Sequence, residues 1–281
     1  MQHIEFETGR LAYRVEGEGP PLVLLHANLH DGGDYDAVVP ALAADHRVHV
    51  LDLPGHGASA APARPENMSA ALCADALERF VDALELRGVG LIGNSVGGFA
   101  AARLALRRPE DVAALVLVQS AGFVGRPLKL RLAARVLGSR TIQRRMARRL
   151  PQLYMSPSTD VARELVDRVA ERASTPDGAA RSAAMWRSFA RPESDLRDRA
   201  GEIAVPTLVV WGTRDRIRPV AEGRDLAALV PGAKLTTLDT GHVPFLTDPA
   251  RFLTEVGPFL SAASHRSPAV PAPSASTSPL G

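Results

Sequence analysis

The chain has 281 residues, 46% of them apolar, and a formal net charge of +2. That length admits one large α/β domain or two small ones, with enough apolar residues for a sizeable core. The near-neutral charge and scarce aromatics argue against a nucleic-acid partner, and the single cysteine, Cys73, excludes an internal disulfide framework.

Residues Met1 to Gly9 are polar, so no signal peptide is expected, and no run of about 18 apolar residues exists to cross a membrane. A cytoplasmic protein follows from both. Cys73 lies in a helix-like stretch with no metal-ligand spacing around it and reads as a buried thiol. No metal or cofactor is implied.

In chain order, Ile4–Glu7 and Arg10–Val15 around Thr8-Gly9 read as an antiparallel hairpin at a sheet edge. Strands are then predicted at Leu22–Leu25, Val48–Leu53, Val89–Ile92, Leu115–Val118, Thr207–Trp211 and Leu235–Leu238. Helical periodicity falls between them, at Tyr35–Ala44, Ala70–Leu86, Gly98–Arg107, Val220–Val230 and Pro249–Leu260. Such alternation implies crossover connections and a mostly parallel sheet flanked by helices, an α/β fold. The rhythm breaks over residues 122–201, where helical patterns punctuated by prolines replace strands. The predicted organisation is therefore a core of residues 1–121 and 202–261, a helical insertion of residues 122–201 and a disordered Ser/Pro/Ala-rich tail of residues 262–281. Ligands bind at the C-terminal edge of such sheets, so an insertion there would roof the site as a lid.

Between Arg126 and Arg149 the insertion carries nine Arg or Lys and no Asp or Glu, interleaved with Leu128, Leu130, Leu132, Val136 and Leu137. The segment reads first as the solvated outer face of a helix packed by its leucines. The other reading is a basic amphipathic helix making peripheral contact with a membrane surface or an acidic substrate, without stable insertion. A monomer and a homodimer are both compatible with the chain.

The chemistry centres on Gly93-Asn94-Ser95-Val96-Gly97, which fits the G-x-S-x-G nucleophile elbow and sits between a buried-strand pattern and an Ala/Leu-rich helix. A serine at such a turn is held in strained backbone with its hydroxyl lifted off the sheet, and the N–H of Val96 stands at a helix N-terminus where an oxyanion can bind. A serine hydroxyl needs a positioned base. His242, in Asp239-Thr-Gly-His-Val-Pro244 after a strand and before the last helix, is the candidate. His46 and His49 read as flanking a strand near the surface, His3 and His265 are terminal, and His30 is a loop residue with no evident role. Asp215, just past the strand Thr207–Trp211, is the carboxylate that would orient the imidazole. The order Ser95, Asp215, His242 is that of α/β-hydrolase triads. A second oxyanion N–H is expected from the His26-Ala-Asn-Leu-His30 loop, at Asn28 or else Leu29; the Asn28 side chain either forms a turn or touches substrate.

With Asp52-Leu-Pro-Gly-His-Gly-Ala-Ser59 and Gly212-Thr-Arg-Asp-Arg-Ile-Arg-Pro219 added to these motifs, the chain resembles the α/β-hydrolase superfamily over about residues 3–261. The resemblance implies a cap-bearing branch, with Asp52 and His56 in a structural loop. Ser95 separates the chain from relatives with Asp at the elbow, and Val96 separates it from proline iminopeptidases. Gly-Asn-Ser-x-Gly-Gly looks like the meta-cleavage-product hydrolases, from which Val243 and the Ala27-Asn28-Leu29 loop depart. The expected activity is a serine hydrolase acting on a small or medium apolar carboxylic ester, thioester or lactone. C–C bond hydrolysis, acyl transfer and non-catalytic ligand binding are the alternatives. Activity would rise with pH as His242 becomes neutral. Phe123, Tyr154, Met155, Trp186, Phe189 and Val243 are the candidates to line the substrate pocket.

Overall fold

The computed structural model describes residues 1–124 and 127–264. Its strands are β1 (Gln2–Phe6), β2 (Gly9–Glu16), β3 (Pro21–Leu25), β4 (Arg47–Leu51), β5 (Val89–Asn94), β6 (Val112–Val118), β7 (Thr207–Gly212) and β8 (Lys234–Leu238). They form one sheet in the order β1-β2-β4-β3-β5-β6-β7-β8. β1 and β2 pair antiparallel as a hairpin, and β2 joins β4 antiparallel. Every pairing from β4 through β3, β5, β6 and β7 to β8 is parallel. Among the described residues, the helices are α1 (Val39–Leu42), α2 (Ala70–Ala83), α3 (Val96–Arg107), α4 (Pro127–Leu137), α5 (Arg140–Met146), α6 (Arg149–Met155), α7 (Asp160–Ser174), α8 (Pro176–Ser188), α9 (Val220–Leu229), α10 (Pro244–Thr247) and α11 (Pro249–Ser264).

The central strands are apolar on both sides because helices cover both faces. One core gathers α2 and α3 against one face, around Phe80, Phe99 and Trp211; the other gathers α1, α10 and α11, around Tyr35, Phe245 and Phe252. Tyr35 and Phe245 stack at 4.0 Å between ring centroids. Cys73 is buried in the first core, and burial pushes its thiol up to about 12, so it stays a protonated apolar filler.

Local chemistry explains where elements differ from expectation. The predicted helix Tyr35–Ala44 is a 3₁₀ turn at Gly32–Tyr35 followed by a separate α1, because Pro40 has no N–H to continue a helix and falls in the first turn of the new one. α2 stops at Ala83, not Leu86: Glu85 adopts φ +50°, and Leu86 N–H closes back on Val81 O at 3.0 Å. That six-to-one closure caps the helix and folds Leu86 back against the core. α11 continues to Ser264, past the predicted boundary at 261, with Leu260 and Ala263 buried. The rest of the expected disordered tail lies outside the described residues. Between β6 and β7 the chain runs through α4 to α8 and two 3₁₀ turns.

His46 and His49 correct an expectation. Neither is near the surface; His49 is 2% exposed. It stands mid-strand in β4, facing Tyr13 and Phe80, and neither ring nitrogen has a hydrogen-bond partner. Burial, with Arg47 adding repulsion, lowers its pKa to about 4. The unfolded chain therefore binds one more proton here between about pH 6.5 and 4, so stability falls as pH drops through that window. Replacing His49 with Leu should flatten the pH dependence of the urea midpoint between pH 6.5 and 4 relative to wild type. An unchanged slope would show that the ring is protonated at no cost.

Candidate active site

Three strand ends at one sheet edge build the site. β5 ends at Asn94, Ser95 turns with φ +54° and ψ −111°, and α3 starts at Val96. A non-glycine residue held there costs about 1–3 kcal/mol, which the surroundings must enforce. They do so through the main chain. Ser95 N–H donates to Val118 O at 3.0 Å, and Ser95 O accepts from Phe99 and Ala121 N–H, each at 3.0 Å. A side chain at Gly93 would lie 2.4 Å from Gly97 O, and one at Gly97 2.4 Å from Leu25 O, so both positions are open only to glycine.

Asp215 sits in the turn after β7 and His242 in the turn after β8. His242 Nδ1 and Asp215 Oδ2 are 2.6 Å apart with both residues buried. A carboxylate only accepts, so Nδ1–H donates and Nε2 is left with its lone pair. Asp215 is held on all sides. Its Oδ1 accepts from the N–H groups of Ile217 (2.8 Å) and Arg218 (2.9 Å), and its Oδ2 also accepts from Gln119 Nε2 (3.1 Å). Nothing in the sequence pattern marks Gln119 for this role. Asn94 was likewise overlooked: its Nδ2 donates to Val118 O (3.1 Å) and to His242 O (3.0 Å), fastening the histidine turn to the elbow. The signal for Asn94 was its place beside the elbow serine.

Ser95 and His242 line one cavity of about 120 Å³, together with Ala27, Asn28 and Leu29 from the turn after β3. That turn is pinned by His26, whose Nδ1–H donates to Ala27 O (2.7 Å) and whose Nε2 accepts from Leu53 N–H (3.0 Å); burial lowers its pKa and keeps it neutral. Leu29 has φ +68°. Asn28 lines the cavity, and its side chain reaches across to the insertion. Its Nδ2 donates to Ser182 Oγ on α8 at 3.0 Å. Val96 opens α3 directly after Ser95; it is fully buried and is not among the residues that line the cavity. Asp52 braces backbone, accepting from Gly32 N–H (2.8 Å) and Ala58 N–H (2.9 Å). His56, which burial holds well below the usual histidine range, donates from Nδ1 to Pro54 O at 2.9 Å.

Tyr154, Trp186 and Phe189 all line the cavity, alongside Leu130 and Leu150. Phe123, Val243 and Met155 do not. Phe123 is 1% exposed in the core beside α3; its neighbours Gly122 and Val124 face the cavity, so its side chain points the other way. Val243, one residue past the histidine, turns with α10 into the second core, where Met155 is also buried. Among the described residues, no group of three or more His, Cys, Asp or Glu is placed to hold a metal ion, and no helix is long and apolar enough to cross a membrane.

Comparison with known proteins agrees with this architecture. Residues 20–249 match the family model of the alpha/beta hydrolase fold. A pimeloyl-[acyl-carrier protein] methyl ester esterase of Aeromonas hydrophila is 32% identical over 256 residues, 87% of this chain and 96% of the relative. A hydrolase from Pseudomonas aeruginosa superposes with a TM-score of 0.78 at 27% identity, over 92% of this chain and 97% of that one. The enol-lactonase from Burkholderia xenovorans does so with a TM-score of 0.76 at 25% identity, over 92% and 100% of the two chains. The chain belongs to the alpha/beta hydrolase fold family, and it is a hydrolase of the esterase type.

The Asn94 amide supplies both donors between Val118 O and His242 O. Replacing Asn94 with Asp puts an acceptor-only group against two buried carbonyls and should cost about 2–3 kcal/mol. Replacement with Ala should cost less. Chemical denaturation of the two variants checks the ranking, and equal stabilities would show that the tie carries little energy.

Proposed function

We propose that this hydrolase cleaves a small or medium carboxylic ester or lactone through an acyl-enzyme formed on Ser95. The observation that carries the reading is the 2.6 Å His242–Asp215 hydrogen bond, with His242 lining the same cavity as the strained Ser95. Ser95 Oγ attacks the carbonyl while His242 Nε2 takes its proton. Asp215 keeps the imidazole in the tautomer with Nδ1–H and stabilises the cation that forms. The developing oxyanion is met by the N–H of Val96 at the start of α3, with a second donor from the N–H of Asn28. His242 then returns the proton to the leaving alcohol, which departs as the carbonyl re-forms. Water deprotonated by the same imidazole attacks the acyl-enzyme, and the imidazolium returns that proton to Ser95 Oγ as the acid is released.

The cavity supports a compact substrate. Its volume of about 120 Å³ is below the roughly 300–1,000 Å³ of sites for drug-sized ligands, and its walls are largely apolar. The insertion serves as a lid, with Leu130, Leu150, Trp186 and Phe189 set over the sheet edge. The relatives point to the same bond class: one is named for a methyl ester and one for an enol-lactone. Their own substrates are not transferred to this chain.

Replacing Ser95 with Ala should lower kcat for a short-chain p-nitrophenyl ester by at least about 10⁴-fold, as loss of a triad nucleophile does, with the thermal unfolding temperature preserved. Intact-mass and peptide analysis after treatment with a fluorophosphonate should place one covalent adduct on the peptide containing Ser95. Wild-type hydrolysis by Ser95→Ala, or an adduct on another residue, would overturn the mechanism.

A further inference from the structure

A second chain of buried polar groups sits in the cavity wall, and the acyl-enzyme mechanism does not use it. His30 is 1% exposed and Asp34 is fully buried. His30 Nδ1 is hydrogen-bonded to Asp34 Oδ2. The other ring nitrogen, Nε2, lies 3.1 Å from the Tyr154 hydroxyl. Arg168 on α7 stands 3.6 Å from the second oxygen of Asp34, which has no hydrogen-bond partner. His30 and Tyr154 both line the cavity that holds Ser95 and His242. The Tyr154 ring meets the His242 ring edge-on at 5.2 Å between centroids. Burying an aspartate and a histidine costs stability unless they are paired, so an arrangement that places them here only to hold one phenol needs a reason.

The proton count supplies one. The Asp34 carboxylate has no hydrogen to give, so His30 Nδ1–H donates to it. Arg168 stands 3.6 Å from the other oxygen of that carboxylate, a positive charge beside the pair. In the tautomer with Nδ1–H, His30 presents a lone pair at Nε2, and the Tyr154 O–H donates to it. Burial, followed by the charges of Asp34 and Asp215, holds the phenol far above its ordinary pKa, so it keeps this single proton. With the proton directed at His30, the phenol oxygen has only lone pairs to offer elsewhere.

We propose that Asp34, His30 and Tyr154 form a selectivity subsite, in which the Tyr154 oxygen accepts a hydrogen bond from the substrate, so that the enzyme favours esters or lactones carrying a hydroxyl or amide N–H within a few bonds of the scissile carbonyl. The proposal rests on the acyl-enzyme reading above. Tyr154 touches the substrate. His30 and Asp34 are positioning residues that act through it.

The test separates binding from turnover. In the Ser95→Ala protein, ligand-observed NMR titrations would compare methyl hexanoate with methyl 3-hydroxyhexanoate and methyl 3-oxohexanoate, and propyl hexanoate with 2-hydroxyethyl hexanoate. One hydroxyl-bearing ester should bind about three- to tenfold more tightly than its plain partner, the worth of one neutral hydrogen bond, and the 3-oxo ester should gain nothing. Adding Tyr154→Phe, which keeps the ring and the main chain, should abolish the preference. Adding His30→Gln should weaken the preference when Tyr154 is present and change nothing when it is Phe. Equal binding of hydroxylated and plain esters, a preference for the 3-oxo ester, or discrimination that survives Tyr154→Phe would each overturn the proposal. If His30→Gln does not fold, the Tyr154→Phe comparison decides alone. None of these readings depends on hydrolysis, so a failed subsite is distinguishable from a failed nucleophile.

Discussion

Two main-chain carbonyls from different strand ends share one amide, and the rest of the site hangs on that. Asn94 closes β5, and its Nδ2 reaches Val118 O at the end of β6 and His242 O in the turn after β8. The β8 turn is three strands away from β5 in the sheet. Sheet hydrogen bonds alone cannot set its height above the edge, because they run between neighbours only. A side-chain amide can, since it offers two N–H groups from one rigid plane. The main-chain N–H of Ser95 also uses Val118 O. The elbow, the end of β6 and the histidine turn therefore share a single anchoring point, and an error in one of them would be passed to the other two.

The same edge shows how environment divides one residue type into separate tasks. His26 and His56 are buried against backbone carbonyls and kept neutral, so they act as rigid braces for the turns after β3 and β4. His49 has no polar partner at all and behaves as a flat apolar ring between Tyr13 and Phe80. His30 and His242 differ from these in having a carboxylate at Nδ1 and in lining the cavity. A carboxylate at Nδ1 fixes the tautomer, and a fixed tautomer makes the opposite nitrogen a dependable acceptor. Among the described residues, those two are the histidines that combine a carboxylate at Nδ1 with a place in the cavity lining.

Much of this arrangement was readable from the chain. The strands are short runs of Val, Leu and Ile bounded by polar turns, and parallel strands buried on both faces have little other way to look. The elbow was readable because its chemistry is local: Gly93 and Gly97 are excluded from bearing side chains by contacts within a few residues and one neighbouring strand. Asp215 and His242 were readable from their places after apolar runs. His30 was not, because its meaning depends on Tyr154, 124 positions later and on a helix of the insertion. Phe123 was misjudged for a related reason. In an irregular segment no period says which of three consecutive side chains faces inward, and the cavity took Gly122 and Val124 instead. Helix ends slipped where a cap outside the periodic pattern took over, as Glu85 does after α2.

The insertion contributes more than a roof. Tyr154 accepts the main-chain N–H of His242 through its own carbonyl at 2.9 Å, and Arg216 N–H reaches Leu153 O at 3.2 Å. Ser156 Oγ adds a hydrogen bond to Arg214 O at 2.6 Å. The end of α6 is thus bonded through backbone to both turns that carry the His242–Asp215 pair. A helix attached in this way cannot swing off the sheet edge without breaking these three hydrogen bonds, each worth about 0.5–1.5 kcal/mol. Among the described residues, α7 and α8 make no such bonds to these two turns. The insertion is thus joined to the catalytic edge through the end of α6 and also through α8, where Ser182 Oγ accepts from Asn28 Nδ2.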